Sequence, residues 1–338
     1  MKIVFISSML PSGHFSQIIC SGLVKVNPNL LIYTDKDKNN LQIKNCGKIR
    51  LVWDKSPHYL WQILKQLKHD KPDVVHLQQE LNMYGGLPTL ILLPFLVLGI
   101  KLLGFPLVVT IHATVFRRQI DKKFIHLFHQ DNLNPTILKL LFDYLFRPIS
   151  LLADRILVHS NLSKQILTTD YGVSAAKTSV IPCAIAYYHL KNYKKQPYFF
   201  YFGYMVRRKG LQFALNGFAK FLKLNPRSPY RLVLAGGVIK GQEQALEEIK
   251  GFITENKLED KVQLLGFQDQ SDLPPLYGKA TAVIIPAVIS MGSSGPLFHA
   301  NSFHKCIITT KIGHFLEDID DAKTGILTAN HHWQNAFS

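Results

Sequence analysis

Cysteine is scarce in this chain of 338 residues: Cys20, Cys46, Cys183 and Cys306 are scattered, with no CxxC pair and no histidine at zinc spacing. That argues against a disulfide framework or structural metal and predicts a reducing compartment. Long apolar runs are also missing. Leu87–Ile100 has fourteen uncharged residues before Lys101, short of the roughly 20 that a spanning helix needs; a buried helix is expected there, with a shallow membrane-facing helix among basic surroundings as the alternative. The opening MKIVFISSMLPSG reads as a strand entering a loop and has no signal-peptide pattern. Carboxylates are few. Against 39 Lys and Arg there are 23 Asp and Glu, a formal charge of +16. Residues 1–195 hold 24 cations and 11 acids, a net of +13, and the remainder is only +3. Such a surface attracts nucleic acid, anionic membrane or anionic substrate. No zinc-finger, RNP or helix-turn-helix pattern accompanies it, so nucleic acid is not an expected partner.

What is present is a βα rhythm repeated twice. Short β-branched or aromatic runs, among them Lys2–Ser7, Asp73–Leu77, Pro106–Ile111 and Asp154–Ser160, alternate with amphipathic stretches. After the polar KNYKKQP at Lys191–Pro197 the alternation resumes with Tyr198–Phe202 and Tyr230–Ala235. Alternation of this kind means parallel sheets. The predicted fold is α/β, two doubly wound Rossmann-like domains facing across a cleft, spanning 1–190 and 197–338.

The organising stretch is YFFYFGYMVRRKGLQFALNGFAKF, Tyr198–Phe221. A strand ends at Gly203; Arg207, Arg208 and Lys209 follow; after Gly210 an apolar face recurs at Leu211, Ala214, Leu215 and Phe218. Cations at a helix start oppose the helix dipole. An anion on the free amides would resolve that conflict, and phosphate is the expected anion. A second anchor is Ser290–His299, where Gly292, Ser293, Ser294 and Gly295 form a turn after a strand and before a helix. Small residues let a ligand approach backbone amides closely. Two anion-friendly helix starts in one domain suit a diphosphate.

In the first half, His112 stands just past a strand end, where open α/β sheets bind ligands, and is a candidate functional residue. Arg117, Arg118, Lys122 and Lys123 follow in a His-rich connection that either grips an anionic acceptor or is a solvated loop. His76, inside a strand, reads as packed and hydrogen-bonded. Asp35-Lys36-Asp37 reads as a solvated turn because lysines interleave its carboxylates.

These pieces together resemble the retaining glycosyltransferases of the GT-B fold, family-four type. The resemblance spans about residues 1–328 and rests on PDVVHLQ, VVTIHAT, ADRILVHSN, SVIPCAI, FFYFGYMVRRKGL, YRLVLAGG, VQLLGF and the run from Ala282 to the TGIL at Thr324–Leu327. It implies a nucleotide-sugar donor, UDP- or GDP-linked, in the second domain. It implies a glycan or lipid-linked acceptor in the first, with no further cofactor or metal. Lys209 matches the lysine on the donor diphosphate and His112 the histidine that touches the transferred sugar; Arg208 is expected to act with them. Donor-binding positions are Gly13, Gly203, Arg207, Gly236, Met291, Ser293, Ser294, Gly295 and His299. The basic first half adds an anionic membrane surface as a partner, for a cytoplasmic protein peripheral on the inner face.

The chain also departs from the family. Tyr204 replaces an arginine, for which Arg207 or Arg208 is the expected substitute. Met291 and His299 stand where two glutamates are usual, Cys183 where an asparagine is common, and His304 and Cys306 where glycine and proline are usual. The helices that usually follow do not occur before Ser338, so a divergent, truncated member is expected. Competing readings are a sugar-nucleotide or glycan-binding protein and an epimerase of the same fold.

Overall fold

A computed structural model describes the chain except residues 10–13, 44, 82, 185–192, 240, 270, 331 and 338. Gly13, Lys191 and Asn192 lie outside the described residues. The chain divides into two compact units: Met1–Ile120 with Asn134–Ala184, and Asp121–Leu133 with Ile185–Ser338.

The first unit holds seven parallel strands: β1 Ile3–Ile6, β2 Leu30–Asp35, β3 Lys48–Trp53, β4 Val74–Gln79, β5 Leu107–Ile111, β6 Arg155–Val158 and β7 Thr178–Val180. Their spatial order is β3-β2-β1-β4-β5-β6-β7, reversing direction between β1 and β4. Helix α1 (His14–Val26) links β1 to β2. Helices α2 (Tyr59–Asp70), α3 (Leu87–Leu102), α5 (Pro135–Leu152) and α6 (Asn161–Tyr171) serve the strands running the other way. Right-handed crossovers place the two groups on opposite faces of the sheet. Between α3 and α5 the chain makes α4 (Lys122–Leu127), whose contacts group it with the second unit.

Two expectations need correction here. Helix α3 is not buried. Its inner side fills the core through Leu93, Leu96, Val97 and Ile100, but Leu87, Ile91, Phe95, Leu98 and Leu102 are exposed. A run that is apolar all round suggests burial, but pattern alone cannot show that one side has no covering layer. Asp35 is not in a solvated turn. It is buried at the end of β2, accepts from Ser8 Oγ at 2.8 Å and pairs with Lys55 at 3.4 Å. His76 is hydrogen-bonded as expected, with its Nε2 2.8 Å from Thr110 Oγ1.

The second unit holds six parallel strands: β8 Tyr198–Phe202, β9 Arg231–Ala235, β10 Val262–Gly266, β11 Ala282–Ile285, β12 Ile307–Thr310 and β13 Gly325–Thr328. The order is β10-β9-β8-β11-β12-β13, reversing at β8 and β11. Its helices are α7 (Leu211–Leu224), α8 (Gln244–Glu255), α9 (Leu273–Lys279), α10 (Gly295–Ser302), α11 (Phe315–Asp318) and α12 (Trp333–Ala336). The aromatic run of β8 suits a strand covered on both faces. Phe199 and Tyr201 enter one core, and Tyr198 and Phe200 the other. Leu211, Ala214, Leu215 and Phe218 of α7 are all buried in the first of these cores, as their spacing predicts.

The two doubly wound parallel-sheet units of the sequence reading are therefore both present. Among the described residues, no helix is long and apolar enough to cross a membrane.

Candidate functional site

In the second unit the strand order reverses between β8 and β11, and ligands of open α/β sheets sit beyond such a reversal. Here backbone packing brings the two anchors of the sequence reading together. Arg207–Lys209 forms a 3-10 turn ending at Gly210, whose φ is 66°. A Cβ on Gly210 would lie 2.0 Å from the Pro286 carbonyl oxygen, so only glycine allows this approach. Two residues before Gly210, the Arg208 carbonyl accepts from Val288 N at 2.9 Å. The cationic turn is thus fastened to the loop that runs from β11 into α10. A similar approach occurs behind it. A Cβ on Gly236 would be 1.8 Å from the carbonyl oxygen of Gly203, and Gly203 N donates to Ala235 O at 3.0 Å.

Both helix starts are open. α7 has no side-chain cap and no acid in its first turn. α10 begins at Gly295, and Ser294 before it makes no side-chain cap. The hydroxyls of Ser293 and Ser294 are buried and unpartnered among the described residues. A buried hydroxyl without a partner is costly, so a ligand oxygen is a natural complement. A Cβ on Gly295 would meet nothing within 4 Å. The backbone there faces open space. Met291 and His299 are half-buried. The His299 ring lies 5.8 Å from Phe202 and 6.2 Å from Tyr277, centroid to centroid.

The three cations of the turn have different surroundings. Arg207 is neutralised by Glu248, with Nη2 to Oε1 at 2.5 Å, and its Nη1 lies 3.4 Å from His126 Nε2. The Arg208 guanidinium lies over the Phe128 ring at 5.0 Å. The described residues offer Lys209 no carboxylate within ion-pair distance. Lys209 is partly exposed, yet its ammonium is pushed down to about 8, by burial first and then by the Arg208 charge. A desolvated cation without a counter-charge is unfavourable, and an anion would relieve it. Glu248 and Phe128 were not singled out from the sequence. They stand about 40 and 80 residues from the turn, and no local spacing connects them to it.

In the first unit, His112 follows β5 and His159 follows β6. The register Thr110↔Leu157, continued by two residues, sets the two rings side by side. His112 Nδ1 is 3.2 Å from His159 Nε2, His159 Nδ1 is 2.9 Å from the Ile181 carbonyl, and His112 Nε2 is 2.7 Å from Gln78 Oε1. The Ile181 carbonyl can only accept, so His159 carries its proton on Nδ1 and receives one from His112 Nδ1. Gln78 Oε1, also an acceptor, would then demand a second proton on His112. Burial opposes that charge and holds His112 at about 3, with the His159 and His76 rings adding to the effect. The conflict disappears if the Gln78 amide turns end for end, a change that leaves its shape intact. Its NH2 then donates to His112 Nε2 and its oxygen receives the His76 proton. His112 is therefore a neutral, tautomerically defined imidazole, unsuited to donate a proton near pH 7. The strand-end rule that picks out His112 applies equally to His159.

Of the proposed acceptor-gripping cations, Arg117 pairs with Asp143 and its backbone N donates to Asp170 Oδ2 at 2.7 Å. Arg118 lies 4.8 Å over Phe116, and Lys122 and Lys123 are exposed.

Residues 19–186 match the family model described as Glycosyltransferase Family 4, and residues 189–337 match Glycosyl transferases group 1. No curated protein matches the sequence. Among solved structures, Anabaena HepE in complex with UDP-glucose is similar with a TM-score of 0.75 at 16% identity, covering 100% of this chain and 88% of that one. Sucrose-phosphate synthase from Thermosynechococcus elongatus gives a TM-score of 0.72 at 16% identity, with 99% and 88% covered. The lipopolysaccharide outer core galactosyltransferase WaaB in its apo form gives 0.65 at 17%, with 100% and 88% covered.

Proposed function

Because the chain belongs to the glycosyltransferases of GT-B type, we propose that it moves a hexosyl group from a UDP- or GDP-linked donor to a glycan or lipid-linked acceptor, with retention at the anomeric carbon, in the synthesis of a cell-surface polysaccharide or glycolipid. The observation that carries the reading is Lys209: a desolvated ammonium with no carboxylate partner, in a turn fastened by Gly210 to the loop that holds two unpartnered serine hydroxyls. That constellation fits a diphosphate. Solved neighbours of this fold hold UDP and UDP-glucose.

In this reading the bond between the anomeric carbon and the β-phosphate oxygen breaks as the acceptor oxygen bonds to the same face. The acceptor proton passes to the departing phosphate oxygen. No side-chain nucleophile is needed. Lys209, Arg208 and the amides opening α7 and α10 stabilise charge growing on the leaving group, a preorganised electrostatic effect. The backbone at Gly203, Gly236 and Gly295 gives close passage, Ser293 and Ser294 bond phosphate oxygens, and His299 takes a ribose hydroxyl. Met291 flanks the donor sugar. Arg207, held by Glu248, supports the turn and contributes less to the phosphate. His112, neutral and with both ring nitrogens engaged by His159 and Gln78, packs its ring against the transferred sugar.

Calorimetric titration with UDP and GDP, followed by nucleoside diphosphate release with product mass spectrometry, tests the reading. Binding and release with an acceptor-linked sugar are expected. Binding without release would favour a sugar-nucleotide-binding protein, consistent with Met291 in place of a carboxylate, and inversion of the free donor would indicate an epimerase.

His159→Leu removes the acceptor that fixes the His112 tautomer. Turnover is expected to fall about tenfold, the scale of one lost buried hydrogen bond, with UDP affinity unchanged. An equal loss of UDP affinity would show a general structural effect instead.

A further inference from the structure

The first unit carries an uncovered apolar face that the proposed transfer chemistry does not use. Helices α2, α3 and α5 lie side by side on one face of the seven-stranded sheet, α2 against α3 and α3 against α5. On the outer side of α3, Leu87, Ile91, Phe95, Leu98 and Leu102 recur at helical spacing, and Leu102 is 78% exposed. On α5, Ile137, Leu140, Tyr144 and Leu151 form a second stripe, with Leu151 77% exposed. The stripes are joined where Tyr144 Oη donates to the Ile91 carbonyl at 2.8 Å. On the outer side of α2, Trp61 is 69% exposed, with Lys65 and Lys68 exposed one and two turns further on. Contiguous exposed apolar surface on this scale marks an interaction site.

Charge decides the occupant. The three helices contain only two carboxylates, Asp70 and Asp143, and both are buried. Arg50 and Tyr33 engage Asp70, and Arg117 engages Asp143. What the face presents is therefore apolar side chains bordered by Lys65, Lys68 and Arg147, with no exposed acid on the three helices; Asp154, just past α5, is held by Lys101 of α3 at 2.7 Å. A second copy would bring like charge to like charge, in a chain of net charge +16. A bilayer with anionic headgroups supplies both complements: hydrocarbon for the leucines and phenylalanine, and negative charge for the lysines. Trp61 and Tyr144 are the residue types that settle at headgroup depth, and lysine stems reach outward from that level.

We propose that the outer face of α2, α3 and α5 seats this protein on an anionic lipid surface, lying in the interface without crossing it. The proposal stands apart from the donor site and from the transfer reading. It gives a lipid-linked acceptor a reason to be within reach, but it does not depend on one.

Flotation of the full chain with vesicles of phosphatidylcholine alone, and of equal parts phosphatidylcholine and phosphatidylglycerol, tests it. Binding to the mixed vesicles at low salt, weakened by added salt, is expected. Phe95→Ser with Ile137→Ser, and separately Lys65→Glu with Lys68→Glu, are each expected to reduce the bound fraction about tenfold, the first by removing two apolar side chains from the interface and the second by removing two cations from an anionic surface. Both variants should keep the wild-type UDP affinity, circular dichroism and sedimentation. That separates failure of this proposal from failure of the donor reading. A chain left in solution with anionic vesicles at low salt overturns it, as does an apolar variant that floats like the wild type. So would a self-associated wild type that the Phe95 and Ile137 substitutions dissociate.

Discussion

Replacing Lys209 by alanine is expected to lower kcat/KM for sugar transfer by about a hundredfold to a thousandfold, the range seen when one preorganised charge-stabilising donor is removed. The fold should survive. Lys209 has no ion pair to lose, and its charge is held in the folded state against desolvation. The linkage sign follows. A lysine whose folded pKa is depressed to about 8 destabilises the fold most below that pH, and the penalty fades as pH rises toward the unfolded value. Lys209→Ala should therefore match or exceed the wild type in thermal stability at pH 7. Diphosphate binding has the opposite dependence. An anion favours the ammonium, so UDP affinity should hold up to about pH 8 and then decline by about tenfold per pH unit as the free protein loses that proton. Calorimetry of UDP binding across this range, with wild type and variant side by side, checks both parts. Unchanged turnover in the variant, or a wild-type affinity flat from neutral pH to 9.5, would remove Lys209 from the site.

Gly210→Ala should damage both the stability of the second unit and its ligand site. Two penalties combine. The backbone sits at φ 66°, and the new Cβ would lie 2.0 Å from the Pro286 carbonyl oxygen, a rigid backbone atom. Left-handed backbone alone costs a non-glycine residue about 1–2 kcal/mol, and relieving the clash means separating the cationic turn from the loop after β11. A loss of about 3 kcal/mol in unfolding free energy is expected. UDP affinity should fall by about a hundredfold, because the two helix starts would no longer converge. Denaturant unfolding measures the first effect and calorimetry the second. A variant that unfolds earlier but binds UDP normally would show that the junction serves stability alone.

Much of this architecture is legible in the residues. The continuous aromatic run of β8 and the Leu211, Ala214, Leu215 and Phe218 face of α7 specify their elements locally. Alternation of such elements leads to parallel sheets with few other options. Where reading failed, the determinant was distant. α3 looks buried because its composition is uniform, and only the missing outer layer leaves Phe95 and Leu102 exposed. Asp35 looks solvated among its lysines, yet Ser8, on the loop after β1, and Lys55, on the loop after β3, enclose it.

Among Arg207, Arg208 and Lys209, composition counts three equal cations in one turn. Folding distinguishes them. Glu248 on α8 neutralises the first, Phe128 packs beneath the second, and the third keeps an unmatched charge. The turn itself follows from local chemistry, through the glycine, the strand end and the helix that opens after it. Which of its charges remains available to a ligand depends on partners tens of residues away. Electrostatics acts through space, and chain order carries no record of those separations.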